Sequence, residues 1–434
     1  MRRLLSLLVA LLATVPVAAQ INLPQLPGVP PVQLPVDPAA LPGALGSTLQ
    51  TAARVPGAIR VDALLRSHRV ELERDPRGAP VMRSVILALS PAPNALARAQ
   101  AAGYIVQRDD ALDALGERIV TLLVPRGTST RRALAQLRRL DDQGSYDFDH
   151  VYFESTAPPL TESASLPASG AQPAAALATA AKIGLIDSGI RPDHPALASL
   201  SITHYGCDGK IIPSAHGTAV ASLLAGNAPD FSGAAPGAAL FVADVYCGDT
   251  APGGRVDEIA RALAWLAAQN VGVMNLSLVG PPNVVLEGVI KRVLARSIVV
   301  VAAAGNDGPN AKPLYPAAYA GVIAVTAVDA RGKALLEAAR GPHVAFAAPG
   351  ADMLAAGVDP DWQRVRGSSF AAPLVAGLIA GRLSTAGAGA SPAAIVEALA
   401  LEAEDLGRKG RDPVYGRGLL GAALRVPPET HGIK

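Results

Sequence analysis

Apolar positions fall into two regimes along this chain. In the second half, four short runs are apolar with almost no alternation: KIGLID from residue 182, LFVADVY from 240, VGVMNLSL from 271 and SIVVVAAAG from 297. A strand with one wet face alternates, whereas a strand covered by helices on both faces need not, so these runs predict parallel strands. Between them, VDEIARALAWLAAQ from residue 256 and NVVLEGVIKRVLARS from 283 space their apolar residues as amphipathic helices do. Strands and crossover helices in this order predict a doubly wound, mostly parallel α/β domain over residues 179–426, with its site at the carboxyl ends of the strands. Residues 427–434 are left as a tail.

Residues 81–154 show the other regime. SVILALS, YIVQRDD, RIVTLLVP and YDFDHVYF read as strands, and NALARAQAAG and STRRALAQLRRL as helices, the first ending at Gly103. The resulting βαββαβ order predicts a small α+β domain, a superfold that proves no function by itself. Residues 20–80 before it are a Pro-punctuated arm and a lead-in, where Pro24, Pro27, Pro30, Pro31, Pro35, Pro38 and Pro42 block helix and ladder alike. Residues 155–178 after it are a linker rich in Pro, Ala and Ser, the exposed and extended backbone that a processing site needs.

The first 19 residues change the picture of where the protein works. Arg2 and Arg3 precede an apolar stretch from Leu4 to Val15, and Val17-Ala18-Ala19 offers small residues for cleavage, so residues 1–19 read as a secretory signal. No later run reaches the roughly 20 apolar residues that span a bilayer. An exported mature chain, secreted or periplasmic and without a transmembrane segment, is expected. Composition adds little else: 434 residues with 50% hydrophobic content, 17% charged residues and a net charge of +2 exclude nothing but a strongly charged partner, so no nucleic acid is expected. Cys207 and Cys247 are an even pair in an exported chain and are expected to form a disulfide; two free buried thiols are the alternative.

Candidate chemistry sits in four segments. IGLIDSGI places Asp187 at a strand end, where a carboxylate can hold an imidazole in one tautomer. HGTAVASLLAG places His216 at the start of a helix of small residues. RGSSFAAPLVAG places two serines, Ser368 and Ser369, before an apolar helix with Pro373 read in its first turn, where a missing N–H leaves nothing unpaired. VVVAAAGNDG places Asn306 after a buried strand, where its amide can serve as an oxyanion donor. Each has a plainer reading: a turn Asp before Gly, a structural histidine, a serine capping a core helix, a turn Asn. A nucleotide-binding α/β protein is a further reading, but DSGIRPDH after the first strand lacks the Gly-x-Gly-x-x-Gly phosphate loop.

In their order and flanking residues these segments resemble the subtilisin family over roughly Lys182 to Arg425. That family's triad runs Asp, His, Ser along the chain, unlike the orders of the chymotrypsin and α/β-hydrolase groups. MNLSLVG at 274–280, YPAAYAGVIAVTAVD at 315–329 and AFAAPG at 345–350 resemble further landmarks. The resemblance implies a serine endopeptidase with Asp187, His216 and Ser369 as triad and Asn306 as oxyanion donor. Ser369 is chosen over Ser368 by its place before Phe370-Ala371-Ala372-Pro373, and Ser368 replaces the family's usual Thr. It implies no required cofactor; structural calcium occurs in the family, but no contiguous calcium loop is readable here. A peptide or protein substrate would add as a strand against Gly253, Gly254, Ser277, Leu278, Val279, Gly280, Ala304 and Gly305. Val279 stands where the family usually has Gly. The domain at 81–154 resembles the family's propeptide, which implies an intramolecular inhibitor and a preproenzyme that processes itself. A catalytically silent binding or scaffold protein on the same fold is the alternative.

Overall fold

The strand order of the second half puts one strand, KIGLID, where the order of the sheet reverses and its last residue at a crevice. The structure, a computed structural model, describes residues 57–155, 181–248, 252–386, 391–431 and 433. The expected signal segment, the Pro-rich arm and all of the linker except Ser155 lie outside the described residues.

The first unit comprises α1 (Gly57–Ser67), β1 (Leu72–Arg74), β2 (Pro80–Leu89), α2 (Pro93–Ala101), β3 (Ile105–Leu112), β4 (Glu117–Leu123), α3 (Thr130–Leu140) and β5 (Ser145–Glu154). Its antiparallel sheet runs β5-β2-β4-β3, with β1 on the far end of β2. Alternation along β2 sends Ile86 and Ala88 toward α2 and α3, where they meet Val120, Leu134 and Phe148. The other face carries Leu87, which joins Leu112, Leu115 and Ile119 in a cluster that belongs to the second unit. Helix α1 and strand β1 occupy part of the stretch read from sequence as a lead-in.

The second unit contains β6 (Lys182–Asp187), β7 (Ile202–Tyr205), α4 (Ala215–Ala225), the hairpin of β8 (Asn227–Ala228) and β9 (Phe231–Ser232), β10 (Ala239–Asp244), β11 (Gly254–Arg255) and α5 (Val256–Ala268). It continues with β12 (Val273–Leu276), β13 (Leu278–Val279), α6 (Val284–Ala295), β14 (Val299–Ala303), β15 (Ile323–Val328) and β16 (Val344–Pro349). It ends with the ribbon of β17 (Ala351–Ala356) and β18 (Trp362–Arg366), then α7 (Ser368–Thr385) and α8 (Pro392–Glu402). Seven strands form a sheet in the order β16-β15-β14-β12-β6-β10-β7, with every pair parallel. This is the doubly wound α/β fold. The chain fills one side of β6 with β7 and β10, then crosses to β12 on the other. Asp187, the last residue of β6, therefore stands at the switch point where such sheets open a crevice.

One face of this sheet buries Leu185, Val242 and Val301 against α4 and α7 through Leu223 and Val375. The other buries Ile186, Met274 and Val300 against α5 and α6 through Leu263 and Val289. Helices α5 and α6 are in turn covered by the second face of the first unit's sheet. Among the described residues no helix is long and apolar enough to cross a membrane.

Pro373 does not sit in the first turn of its helix. Helix α7 begins at Ser368, which makes Pro373 an interior residue. A proline there cannot donate to the carbonyl four residues back, that of Ser369. The Ser277 hydroxyl donates to that carbonyl instead, at 3.0 Å. The proline thus opens a bonding position that ties the start of α7 to the segment between β12 and β13.

Candidate active site

Asp187 is held by its own turn before it meets any partner. Its Oδ1 accepts from the Ser188 backbone N–H at 2.7 Å and the Ser188 hydroxyl at 3.1 Å. The same oxygen lies 2.7 Å from Nδ1 of His216. His216 is fixed from the other side, because the Ser214 hydroxyl caps α4 by accepting the His216 N–H at 3.3 Å. Gly217 lets the helix come this close: a Cβ there would stand 2.2 Å from the Ser188 carbonyl oxygen. The small residues after His216 are thus a condition for the contact between helix and strand end.

Ser369 and Asn306 converge from α7 and from the loop after β14. The Asn306 side-chain oxygen accepts from the Ser368 N–H at 3.1 Å, and the Gly305 N–H donates to the Ser368 hydroxyl at 3.0 Å. Ser368 therefore braces the Asn306 loop, while Ser369 Oγ faces the other way. Ala304 turns its N–H to the carbonyl of Val325 in the sheet at 2.9 Å. Ala304 and Gly305 thus stand behind Asn306, bonded to the sheet and to α7.

The cleft between these groups is filled by the first unit. Beyond His150, β5 leaves its own sheet and runs antiparallel between β11 and β13: Val151 and Tyr152 pair with Arg255 and Gly254, and Phe153 and Glu154 with Val279 and Leu278. The Ser155 N–H donates to the Ser277 carbonyl at 3.2 Å. The Ser155 carbonyl oxygen then accepts from Asn306 Nδ2 at 2.7 Å and from the Ser369 hydroxyl in a short hydrogen bond. Ser369 Oγ is also 3.3 Å from the Ser277 carbonyl. His216 Nε2 is buried and has no hydrogen-bond partner among the described residues. A peptide carbonyl thus sits at a hydroxyl and an amide donor, while that hydroxyl is bonded to carbonyls and makes no hydrogen bond to His216 Nε2.

Charge in the cleft is concentrated on the imidazole. Burial opposes a proton on His216, but the Asp187 and Glu154 carboxylates outweigh it and raise its pKa to about 9. Glu154 Oε1 lies 4.0 Å from His216 Nδ1. Burial pushes the Glu154 carboxyl up, against the His216 charge that lowers it. Burial likewise raises Asp244, whose Oδ1 caps the N–H groups of Tyr246 and Cys247, each at 2.9 Å.

Several residues at the site were outside the reach of motif reading. Tyr152, Glu154 and Ser155 have no chemical signature; only their position before a Pro-rich linker marks them. Arg60 of α1 reaches over the strand end, donating to the Glu154 carbonyl at 3.2 Å and to Asp307 Oδ1 at 3.3 Å, with its guanidinium over the Phe153 ring. Cys207 and Cys247 are joined as a disulfide, which ties the segment leading to β11 to the end of β7. Two groups of potential metal ligands occur among the described residues: these sulfurs with Asp244, and Glu154 with Asp187 and His216. The first is occupied by its own S–S bond, and the second is the site just described.

Comparison with known proteins follows the same outline. The sequence profile of the subtilase family matches residues 178–418. Subtilisin of Bacillus pumilus is 34% identical over 212 residues, covering 46% of this chain and 75% of that protein. The minor extracellular protease Epr of Bacillus subtilis is 29% identical over 245 residues, 55% of this chain, and the chain spans only 37% of its length. The fold is similar to that of fervidolysin from Fervidobacterium pennivorans, described as a keratinolytic enzyme related to subtilisin, with a TM-score of 0.66 at 20% identity over 80% of this chain and 61% of that one.

Proposed function

Because the chain belongs to the subtilase family, we propose that it is an exported serine endopeptidase, made as a preproenzyme, that first cuts its own chain after Ser155. The placement of the Ser155 carbonyl between Ser369 and Asn306 carries this reading. Ser369 Oγ attacks that carbonyl carbon while His216 Nε2 takes the hydroxyl proton. Asp187 holds the imidazole through Nδ1 and stabilises it once it is charged. Negative charge that develops on the Ser155 oxygen falls on Asn306 Nδ2, already at bonding distance in the ground state. Collapse breaks the bond to Thr156, whose nitrogen receives the proton from His216. Water then hydrolyses the Ser155 ester by the reverse roles, leaving a Ser155 carboxylate and a free Ser369.

Strand β5 supports the same reading from the substrate side. Substrate peptides would take the place of residues 151–155, added as a strand between β11 and β13. The first unit would then inhibit until it leaves or is digested. A secretory signal at residues 1–19 and an extracellular relative support export. Purified full chain and a Ser369→Ala variant test the proposal: the wild type should mature with Thr156 as its new N-terminus and react with a fluorophosphonate at Ser369, and the variant should stay uncut. Maturation of Ser369→Ala at the same bond in a protease-deficient host would reject self-cleavage.

A further inference from the structure

We infer that Arg366 and Glu337 are positioning residues for the reaction: their ion pair sets the place of the Asn306 amide relative to Ser369. The inference rests on the endopeptidase reading above and concerns two side chains that take no part in the proton transfers.

Asn306 lies in a bend that cannot hold itself. Gly305 and Gly308 on either side have φ of 111° and 102°, so the chain turns sharply twice within four residues, and no helix or ladder fixes it. The Asn306 side-chain oxygen is tied to the Ser368 N–H, while its amide nitrogen is turned to the Ser155 carbonyl. A second loop, between β15 and β16, holds the main chain. The Gly308 N–H donates to the Glu337 carbonyl at 2.9 Å, and the Ala339 N–H donates to the Gly305 carbonyl at 3.0 Å. These two bonds bracket Asn306, one on each side.

The Glu337 side chain links this bracket to the nucleophile. Its carboxylate meets the Arg366 guanidinium through two hydrogen bonds, from Nε to Oε1 at 2.6 Å and from a terminal nitrogen to Oε2 at 3.0 Å. Arg366 ends β18 opposite Ala351, and Gly367, Ser368 and Ser369 follow it at once. Gly367 is anchored in turn, its N–H donating to the Gly350 carbonyl at 2.7 Å. A closed circuit results. It runs from Asn306 through the 337–339 loop and the ion pair to Arg366, along the chain to Ser368, and back through the Ser368 N–H to Asn306.

An exposed ion pair contributes little, because water competes for both partners and two long side chains must be ordered. Here the two side chains are only 14% and 15% exposed, and the forked geometry fixes direction as well as distance. A donor aimed at a developing charge is sensitive to such a strut, since a displacement of about 1 Å can lower a rate about 100-fold. The pair therefore acts on turnover through Asn306 and leaves the binding of substrate to the cleft.

A double-mutant cycle on the matured enzyme tests this with a nitroanilide of the peptide of residues 151–155, whose leaving group carries no residue beyond the cut. Active sites are counted with a fluorophosphonate, so that protein which has not matured does not enter kcat. Arg366→Ala should lower kcat about tenfold and the milder Glu337→Gln less, each with KM within about twofold of the wild type. In an Asn306→Ala background the same changes should lower kcat no further, because the group they position is gone. Where Arg366→Ala yields no labelled enzyme, Glu337→Gln carries the cycle alone. Equal losses in both backgrounds, a kcat untouched by either change, or a raised KM at constant kcat would overturn the positioning role and leave the endopeptidase reading standing. No hydrolysis by the wild type, together with no fluorophosphonate label, would overturn both.

Discussion

The two units solve the problem of covering a sheet in opposite ways. In the second unit the parallel strands are buried on both faces by helices of the same unit, α4 and α7 on one side and α5 and α6 on the other. In the first unit α2 and α3 cover one face only; Leu87, Leu112, Leu115 and Ile119 on the other are covered by helices α5 and α6. One unit therefore carries its whole core, and the other borrows half of it. A unit of this size with one uncovered face has little apolar area left to offset the entropy of its own folding. Docking is therefore expected to help order it, and the same docking places residues 151–155 in the cleft.

The sharpest way to break this contrast is a charge on the borrowed face. Leu87→Asp buries an unpaired carboxylate against α5 and α6, at a cost of about 4 kcal/mol or more. The expected outcome is a chain that yields no matured enzyme, seen as loss of both the cut band and the fluorophosphonate label. Normal maturation of Leu87→Asp would show that the two units fold independently of their contact.

Asn306→Ala sharpens the contrast from the other side, because it leaves both cores intact and removes only contacts at the end of the docked strand and to the Ser368 N–H. Loss of one hydrogen bond to a developing charge should lower kcat roughly 10- to 100-fold with KM nearly unchanged. A raised KM at constant kcat would instead make Asn306 a structural turn residue, bonded to Ser368 and nothing more.

The third prediction concerns pH and follows from what the first unit adds to the cleft. His216 must be neutral to accept a proton, and with Asp187 and Glu154 beside it its pKa is about 9. Self-cleavage should therefore rise with pH and level off above about 9. Stability moves oppositely: a folded pKa above the ordinary 6.5 stabilises fully below pH 6.5, and that contribution is lost as pH rises through about 9. Glu154→Gln removes one of the two carboxylates, so its rate profile should shift to lower pH. Superposable profiles for wild type and Glu154→Gln would show that Asp187 alone sets the midpoint.

The smallest expected effect is at Arg60. Its bonds to the Glu154 carbonyl and Asp307 hold the strand end in the cleft, and the same bonds would retain that end after a cut. Arg60→Ala should shorten the lag before peptidase activity appears by several-fold, measured on equal amounts of fresh precursor. An unchanged lag would mean that α1 contributes nothing to retention.

How much of this was legible in the chain depends on the range of the contact. The strands Lys182–Asp187, Ala239–Asp244 and Val299–Ala303 could be read because two covered faces leave an uninterrupted apolar run. Asp187 and Asn306 could be nominated because each follows such a strand among small residues, and His216 because it opens a helix of small residues. Pro373 was misplaced by less than two turns, since its helix starts at a glycine and not at a side-chain cap, and nothing local marks that start. Helix α1, GAIRVDALLRS, was missed because the whole stretch between the Pro-rich arm and residue 81 was read as a lead-in. Tyr152, Glu154 and Ser155 matter only through partners far off in the chain, and neither periodicity nor composition carries such a relation. The choice between a disulfide and two thiols was likewise a question of proximity in space.

That disulfide closes a loop containing the whole of β10 and ends seven residues before β11, the edge on which Tyr152 lies. A crosslink acts chiefly on the unfolded chain, by removing arrangements in which its ends are apart. One wall of the peptide groove is thus brought near its place by a covalent reaction that needs an oxidant from the surroundings. Geography then bears on the proposed function: where thiols stay reduced, the same sequence must assemble that wall by folding alone, and a peptidase built on it would work best after leaving such a place.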